Sequence, residues 1–358
     1  MTSSLPPCPF VAGAKITDAR FFVGRDKELQ VITAGMTATP PVSINVVGRR
    51  RIGKSSLLYH VFQTWEQRVE EPLRYVVVYI SLQEVRCQSE EEFYHAVGRQ
   101  LWSRPLVQAQ PALSDPLRTK PFNRLAFSSA LGYWKRQGVL PAICLDEFEC
   151  LVRSPQVFND DFFNNLRSLL DSGALMLIVA SLRELAFYRR RHGLTSSFFN
   201  LGRVLPLEEL GEEAARDLVR LPASKIPEAQ PALSMEEQTF ARQLGGCHPY
   251  LLQLAGVLLW EAQQLGKEGN WVRARFEREA QQVPGYSFNS RRWGGVVQVL
   301  AWLPLKLGRM VRGVRGTADE IGNLSAGILI LLAVIVVLLG ALNWEPLQNL
   351  LKGIFQLE

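Results

Sequence analysis

Cysteine and histidine are scarce, and neither is arranged for chemistry. The five cysteines, Cys8, Cys87, Cys144, Cys150 and Cys247, are odd in number and form no C-x-x-C pair. This excludes a fully paired disulfide framework and the common zinc spacings. Reduced thiols in a cytosolic domain are the simplest account. The four histidines are scattered, so they offer no metal cluster. Residues 1–11 lack a basic start and an apolar run and carry three prolines, so no signal peptide is expected. No N-K-x-D guanine motif occurs, which leaves a GTPase without its usual base reader. With 47% hydrophobic and 21% charged residues the chain is globular, and 358 residues suit two or three domains.

Excess positive charge is also sparse over most of the chain. The net charge is +6, but residues 286–323 hold +4 of it, through Arg291, Arg292, Lys306, Arg309, Arg312 and Arg315 against Asp319 and Glu320. The tail 343–358 carries −1, so residues 1–285 hold only +3. That argues against a nucleic-acid surface. The basic cluster has a different neighbour. Residues 324–342 read LSAGILILLAVIVVLLGAL, with no charge between Glu320 and Glu345. A run of this length is expected to be a transmembrane helix. Trp344 suits the far interface, and by the positive-inside rule the large N-terminal part is cytoplasmic and the tail outside. The stretch 293–305 is apolar but short and interrupted by Pro304. It reads equally as a membrane-surface segment or as a linker packed on the preceding domain. The tail could form a short amphipathic helix.

What the chain does contain is a phosphate-binding loop. Gly48-Arg49-Arg50-Arg51-Ile52-Gly53-Lys54-Ser55 matches G-x-x-x-x-G-K-S between an apolar strand and a helix continuing through Ser56. Gly48 and Gly53 allow the backbone to turn N–H groups inward at an anion, and the helix start adds its positive end. Lys54 would reach the β- and γ-phosphates, and the Ser55 hydroxyl would ligate Mg²⁺. A glycine-containing loop feeding an ordinary helix is the plain alternative.

The stretch Arg20 to Leu29 is expected to enter a helix that runs to about Met36, and Pro40-Pro41 break the chain before the loop strand. Residues 75–81, YVVVYIS, are apolar on both faces and read as a fully buried strand. Residues 90–102 have helical spacing, 105–121 read as a proline-rich connection, and 123–137 look helical. Residues 140–147 are an apolar strand ending in Asp146-Glu147, the Walker B pattern. Asp146 would hold Mg²⁺, and Glu147 would act as general base toward water. Residues 160–172 read as a helix and 175–180 as a buried strand ending at Ser181, a candidate γ-phosphate sensor, with Arg183 a weaker one. Residues 204–207 suit a last strand. Alternating strands and helices with buried strands imply a parallel, three-layer α/β sheet with ligand chemistry at its carboxyl ends. After Pro206 the pattern turns helical, at 210–221, 235–244, 249–265 and 271–282. Between these helices lies Gly245-Gly246-Cys247-His248-Pro249-Tyr250, with Pro249 placed to open a helix.

Phe22-Val23-Gly24-Arg25-Asp26, the loop form G-R-R-R-I-G-K-S-S, Ile143-Cys144-Leu145-Asp146-Glu147 and the G-G-x-H-P-Y turn occur together in this order. In this the chain resembles the STAND and archaeal-type P-loop ATPases, relatives of the AAA+ ATPases, over roughly residues 20–285. The resemblance implies an ATP or dATP site with Mg²⁺ between an α/β core and an α-helical lid. It implies that Phe22, Val23, Gly24 and Arg25 lie near the adenine and that His248 and Pro249 pack on the nucleotide from the lid. For His248 a cap or core role is the plainer alternative. The family commonly continues into a winged helix; residues 291–316 are too few for one, so DNA binding is not the expected output. No arginine finger is singled out among Arg183, Arg203 and the Arg189-Arg190-Arg191 cluster.

The expected organisation is an irregular N-terminus (1–20), a P-loop ATPase core (21–208), a helical lid (209–285), a basic linker (286–323), a membrane helix (324–342) and a tail (343–358). The expected activity is slow or regulated ATP hydrolysis in a membrane-anchored regulatory switch. Its partners would be ATP and ADP, lipid through the helix, other copies of itself in the ATP state, and an unidentified protein. A nucleotide-binding scaffold and an initiator-type ATPase are the alternatives.

Overall fold

The computed structural model describes residues 8–85, 88–223 and 230–283, all within one compact unit, Met1–Pro284. Residues 286–358, with the expected linker, spanning segment and tail, lie outside the described residues. Among the described residues no helix is long and apolar enough to cross a membrane.

The core alternates strands and helices: α1 (Asp26–Thr37), β1 (Ile44–Val47), α2 (Lys54–Thr64), β2 (Tyr75–Ser81), α3 (Glu90–Trp102), α4 (Arg124–Arg136), β3 (Leu140–Asp146), α5 (Asp160–Asp171), β4 (Met176–Ser181), α6 (Leu185–His192) and β5 (Arg203–Pro206). The strands form one parallel sheet in the order β2-β3-β4-β1-β5. Parallel strands need crossovers, and crossover helices cover both faces. That is why all seven residues of β2 are buried. Its side chains alternate between two cores. Val76, Val78 and Ile80 join a large core that includes Phe93, Phe127, Phe162, Phe163 and Trp134. Tyr75, Val77 and Tyr79 join the core under α1 and α2, with Ile32, Leu57 and Leu58.

Helix starts follow their side chains. Ser89 accepts from the Glu92 N–H at the start of α3, Asn123 from Ala126 at α4, and Asn159 from Asp161 and Phe162 at α5. The proline-rich connection at 105–121 differs from expectation. It forms short helical turns at Pro105–Ala109, Pro111–Ser114 and Asp115–Arg118. Pro105, Pro111 and Pro116 stand in the first turn, where no N–H is needed, so they start helical turns instead of preventing them. Buried Val107 and Leu113 anchor these turns, and Trp134 Nε1 donates to the Leu113 carbonyl at 3.0 Å.

Among the described residues four helices follow: α7 (Glu212–Val219), α8 (Met235–Gly245), α9 (Pro249–Leu265) and α10 (Gly269–Ala280). The apolar α9 is the hub and packs on the other three. Ser234 and Glu237 form a reciprocal capping box at the start of α8. Residues 8–18 have no regular secondary structure, yet they are packed. Phe10 is buried against α9 at Gly256, the Val11 N–H donates to Gln253 Oε1 at 2.8 Å, and the Ile16 N–H donates to Ser56 Oγ at 3.1 Å. This strap therefore spans from lid helix to phosphate-loop helix.

Candidate nucleotide site

The loop after β1 is shaped by close approaches. A Cβ on Gly48 would lie 2.8 Å from Ile52 Cγ2 and 2.9 Å from the Leu207 carbonyl oxygen, so only glycine fits. Arg51 (φ 66°) and Gly53 (φ 100°) are left-handed, which curls the backbone into an arc before α2. Within the arc Lys54 Nζ donates to the carbonyls of Gly48 (2.7 Å) and Arg49 (3.0 Å). Burial draws the Lys54 pKa below the ordinary lysine value, opposed by the carboxylates of Glu149 and Asp146. Arg49 and Arg50 are exposed at the tip of the loop. Arg51 turns to the lid. Its guanidinium lies 4.1 Å from the Tyr250 ring centroid and donates to Gln282 Oε1 at 2.8 Å.

The carboxylates sit at the end of β3. Asp146 is buried; its Oδ2 accepts from the Tyr79 hydroxyl at 2.7 Å and its Oδ1 from the Glu147 N–H at 3.0 Å. Glu147 is left-handed (φ 59°), a conformation costly for a side chain with a Cβ and concentrated at functional sites. Its Oε2 accepts from Ser81 Oγ at 3.1 Å. With its amide nitrogen turned to Glu147, Gln83 donates to Oε1 at 2.5 Å and to Oε2 at 3.2 Å. Burial and then the Asp146 charge push the Glu147 carboxyl above the ordinary glutamate range, against the Ser81 hydroxyl and the Gln83 N–H. Among the described residues no group of three or more His, Cys, Asp or Glu could hold a metal ion. A cation here would lean on Asp146, the Ser55 hydroxyl and phosphate oxygens. Those are hard oxygen donors of the type Mg²⁺ takes with few protein ligands, so the residues fit.

Beside the loop, a cavity of about 220 Å³ lies between core, lid and strap. Gly53, Lys54, Ser55 and Ser56 line its phosphate-loop side, and Phe22, Val23 and Arg25 a second wall. Leu210, Leu218, Pro249, Tyr250 and Gln253 close it from the lid, and Val11 and Gly13–Ile16 from the strap. Phe22 stacks on His60, with centroids 4.1 Å apart. Three of the residues expected at the nucleotide also make contacts within the protein. Arg25 donates to the carbonyls of Ile52 (3.2 Å) and Glu208 (2.6 Å) and pairs with Glu28, so it braces the loop. A Cβ on Gly24 would meet the Ala214 Cβ at 2.7 Å, so Gly24 admits the lid helix α7. His248 is buried at the start of α9 and does not line the cavity, whereas Pro249 does.

Ser181, expected as a sensor, is bonded within the sheet and its following turn. It is fully buried; its hydroxyl accepts from Asn45 Nδ2 at 2.8 Å and donates to the Arg183 carbonyl at 2.7 Å. The physical reason is Asn45, whose amide is buried inside the sheet and must be satisfied there. Arg183 is exposed and outside the cavity. The strap, Gln253, Tyr79, Ser81 and Gln83 were not singled out by the sequence, and Tyr250 only as part of the G-G-x-H-P-Y turn. For Tyr79 a signal existed: a hydroxyl in a buried strand needs a partner.

Two solved structures share this architecture. The Walker-type ATPase PABY2304 of Pyrococcus abyssi superposes with a TM-score of 0.52 at 16% identity, over 88% of this chain and 91% of that one. The ORC2 protein of Aeropyrum pernix, solved in ADPNP–ADP complexes, gives 0.50 at 13%, over 91% and 81%. At these identities the likeness is one of fold alone. No protein-family model matches the chain, and no curated protein matches it.

Proposed function

We propose that this chain binds and slowly hydrolyses ATP (or dATP), as a membrane-anchored molecular switch of the STAND or AAA-like class. The observation that carries the reading is the meeting of three features at the carboxyl ends of the parallel strands. These are the left-handed loop around Lys54, the Asp146–Glu147 pair, and the cavity between core and lid.

Lys54, now bonded to loop carbonyls, would exchange them for phosphate oxygens. The loop N–H groups and the start of α2 add fixed positive potential without reorganisation. Ser55 and Asp146 would hold Mg²⁺, which would neutralise charge on the phosphates. Glu147, aimed by Ser81 and Gln83 and raised in pKa, would accept a proton from the attacking water. Phe22, Val23 and Pro249 supply apolar walls suited to a base. Because the cavity has walls on both core and lid, occupancy would bias the angle between them. That bias is the basis for a switch, read out as self-association or partner contact. Residues 324–342 would anchor the chain, with the large N-terminal part cytoplasmic.

The test uses the full chain. Wild type should bind ATP and release phosphate. Lys54→Ala should lose binding, and Glu147→Gln should bind while turnover falls by about 10²–10⁴-fold. Binding without turnover in wild type would leave a nucleotide-binding scaffold. The fold shared with the ORC2 protein favours a second reading, an initiator-type nucleic-acid ATPase. A steep salt dependence of DNA affinity would support it, but the net +3 of residues 1–285 argues for weak binding.

A further inference from the structure

Tyr79 is the residue whose chemistry is least explained by packing. It lies in β2 opposite Cys144, and Ser81 lies opposite Asp146, so Tyr79 and Asp146 are diagonal neighbours on one face of the sheet. That diagonal spans about 7–8 Å between backbones, within reach of an aromatic side chain ending in a hydroxyl. The hydroxyl meets Asp146 Oδ2 at 2.7 Å. The ring is fixed on several sides. Tyr59 of α2 packs edge-on at 5.3 Å, Phe62 lies at 6.4 Å, and Lys15 Nζ of the strap lies 4.6 Å from the ring centroid. Lys15 is itself held by Glu84 at 3.4 Å.

Phenylalanine would fill the same space, so the hydroxyl serves the carboxylate. The hydroxyl donates its one proton to Asp146 Oδ2. With Glu147 N–H on the other oxygen, both oxygens of Asp146 are fixed, and each keeps a second lone pair.

We infer that Tyr79 is a positioning residue that orients the Asp146 carboxylate to receive a divalent cation bound with nucleotide. The inference rests on the nucleotide reading above. Tyr79→Phe in the full chain is titrated with the non-hydrolysable analogue ADPNP, once in EDTA and once in excess Mg²⁺. Affinity in EDTA should stay within about twofold of wild type, while the tightening produced by Mg²⁺ should fall about tenfold, as when a ligand-orienting partner is lost. In an Asp146→Asn background, Tyr79→Phe should change the Mg²⁺ effect no further. Unchanged tightening, or an equal loss with and without the metal, overturns the role. If Tyr79→Phe fails to fold, 3-fluorotyrosine at 79 replaces it. Its ¹⁹F resonance should move when Mg²⁺ joins the ADPNP complex, and a static resonance overturns the role. Wild type that binds no ADPNP in either condition would instead remove the nucleotide reading, and this inference with it.

Discussion

At the residue scale Glu147 concentrates the functional argument. Its left-handed backbone, its two side-chain donors and its raised pKa all come from one position at the end of β3. The raised pKa has two consequences with opposite signs. As a base Glu147 must be ionised, so turnover should fall on acidification through a pKa above the ordinary glutamate value. The residual rate of Glu147→Gln should lack that acidic limb, which a pH–rate profile of both proteins would detect. For stability, a carboxyl whose folded pKa exceeds its unfolded pKa costs the fold stability above that pKa. Glu147→Gln should therefore raise Tm at neutral pH, and the gain should vanish as pH falls through the glutamate range. A variant that is less active yet more stable is the pattern expected of a strained functional site.

At the element scale the core and lid differ in what holds them. The sheet is sealed by apolar runs, but helices α8 and α9 meet through a glycine. A Cβ on Gly245 would stand 2.8 Å from the Leu252 backbone N. Because backbone cannot rotate away as a side chain can, Gly245→Ala should cost about 1–3 kcal/mol, measured by urea unfolding. These contrasts also explain what the sequence made legible. β2 and α3 have the bounds that their apolar run and helical spacing suggest, since both signals are local. The candidate Walker residues could be picked out because the chemistry proposed for them needs adjacent residue types. The strap was not, because its bonds use backbone N–H groups of Val11 and Ile16, which every sequence has, and partners 242 and 40 residues away. The bond between Ser181 and Asn45 was hidden for a related reason: only the fold brings Asn45 of β1 beside the end of β4.

At the scale of the whole molecule, the charge distribution and the apolar run make one argument about place. Residues 1–285, with net +3, would gain little from polyanions, whereas the basic cluster at 286–323 immediately precedes an uncharged and apolar run, 324–342, of bilayer-spanning length. Each basic residue near an anionic surface contributes about 1 kcal/mol, an attraction that salt screens. The apolar run contributes a term that salt does not weaken. The two contributions separate in one measurement, flotation of the full chain with vesicles of neutral or anionic lipid. The full chain should float with both kinds and stay bound in high salt. A variant lacking residues 324–342 should float only with anionic vesicles and be released by salt. Failure of the full chain to float with neutral vesicles would remove the anchor from the proposal while leaving the nucleotide site intact, because the residues of that site lie within 11–282.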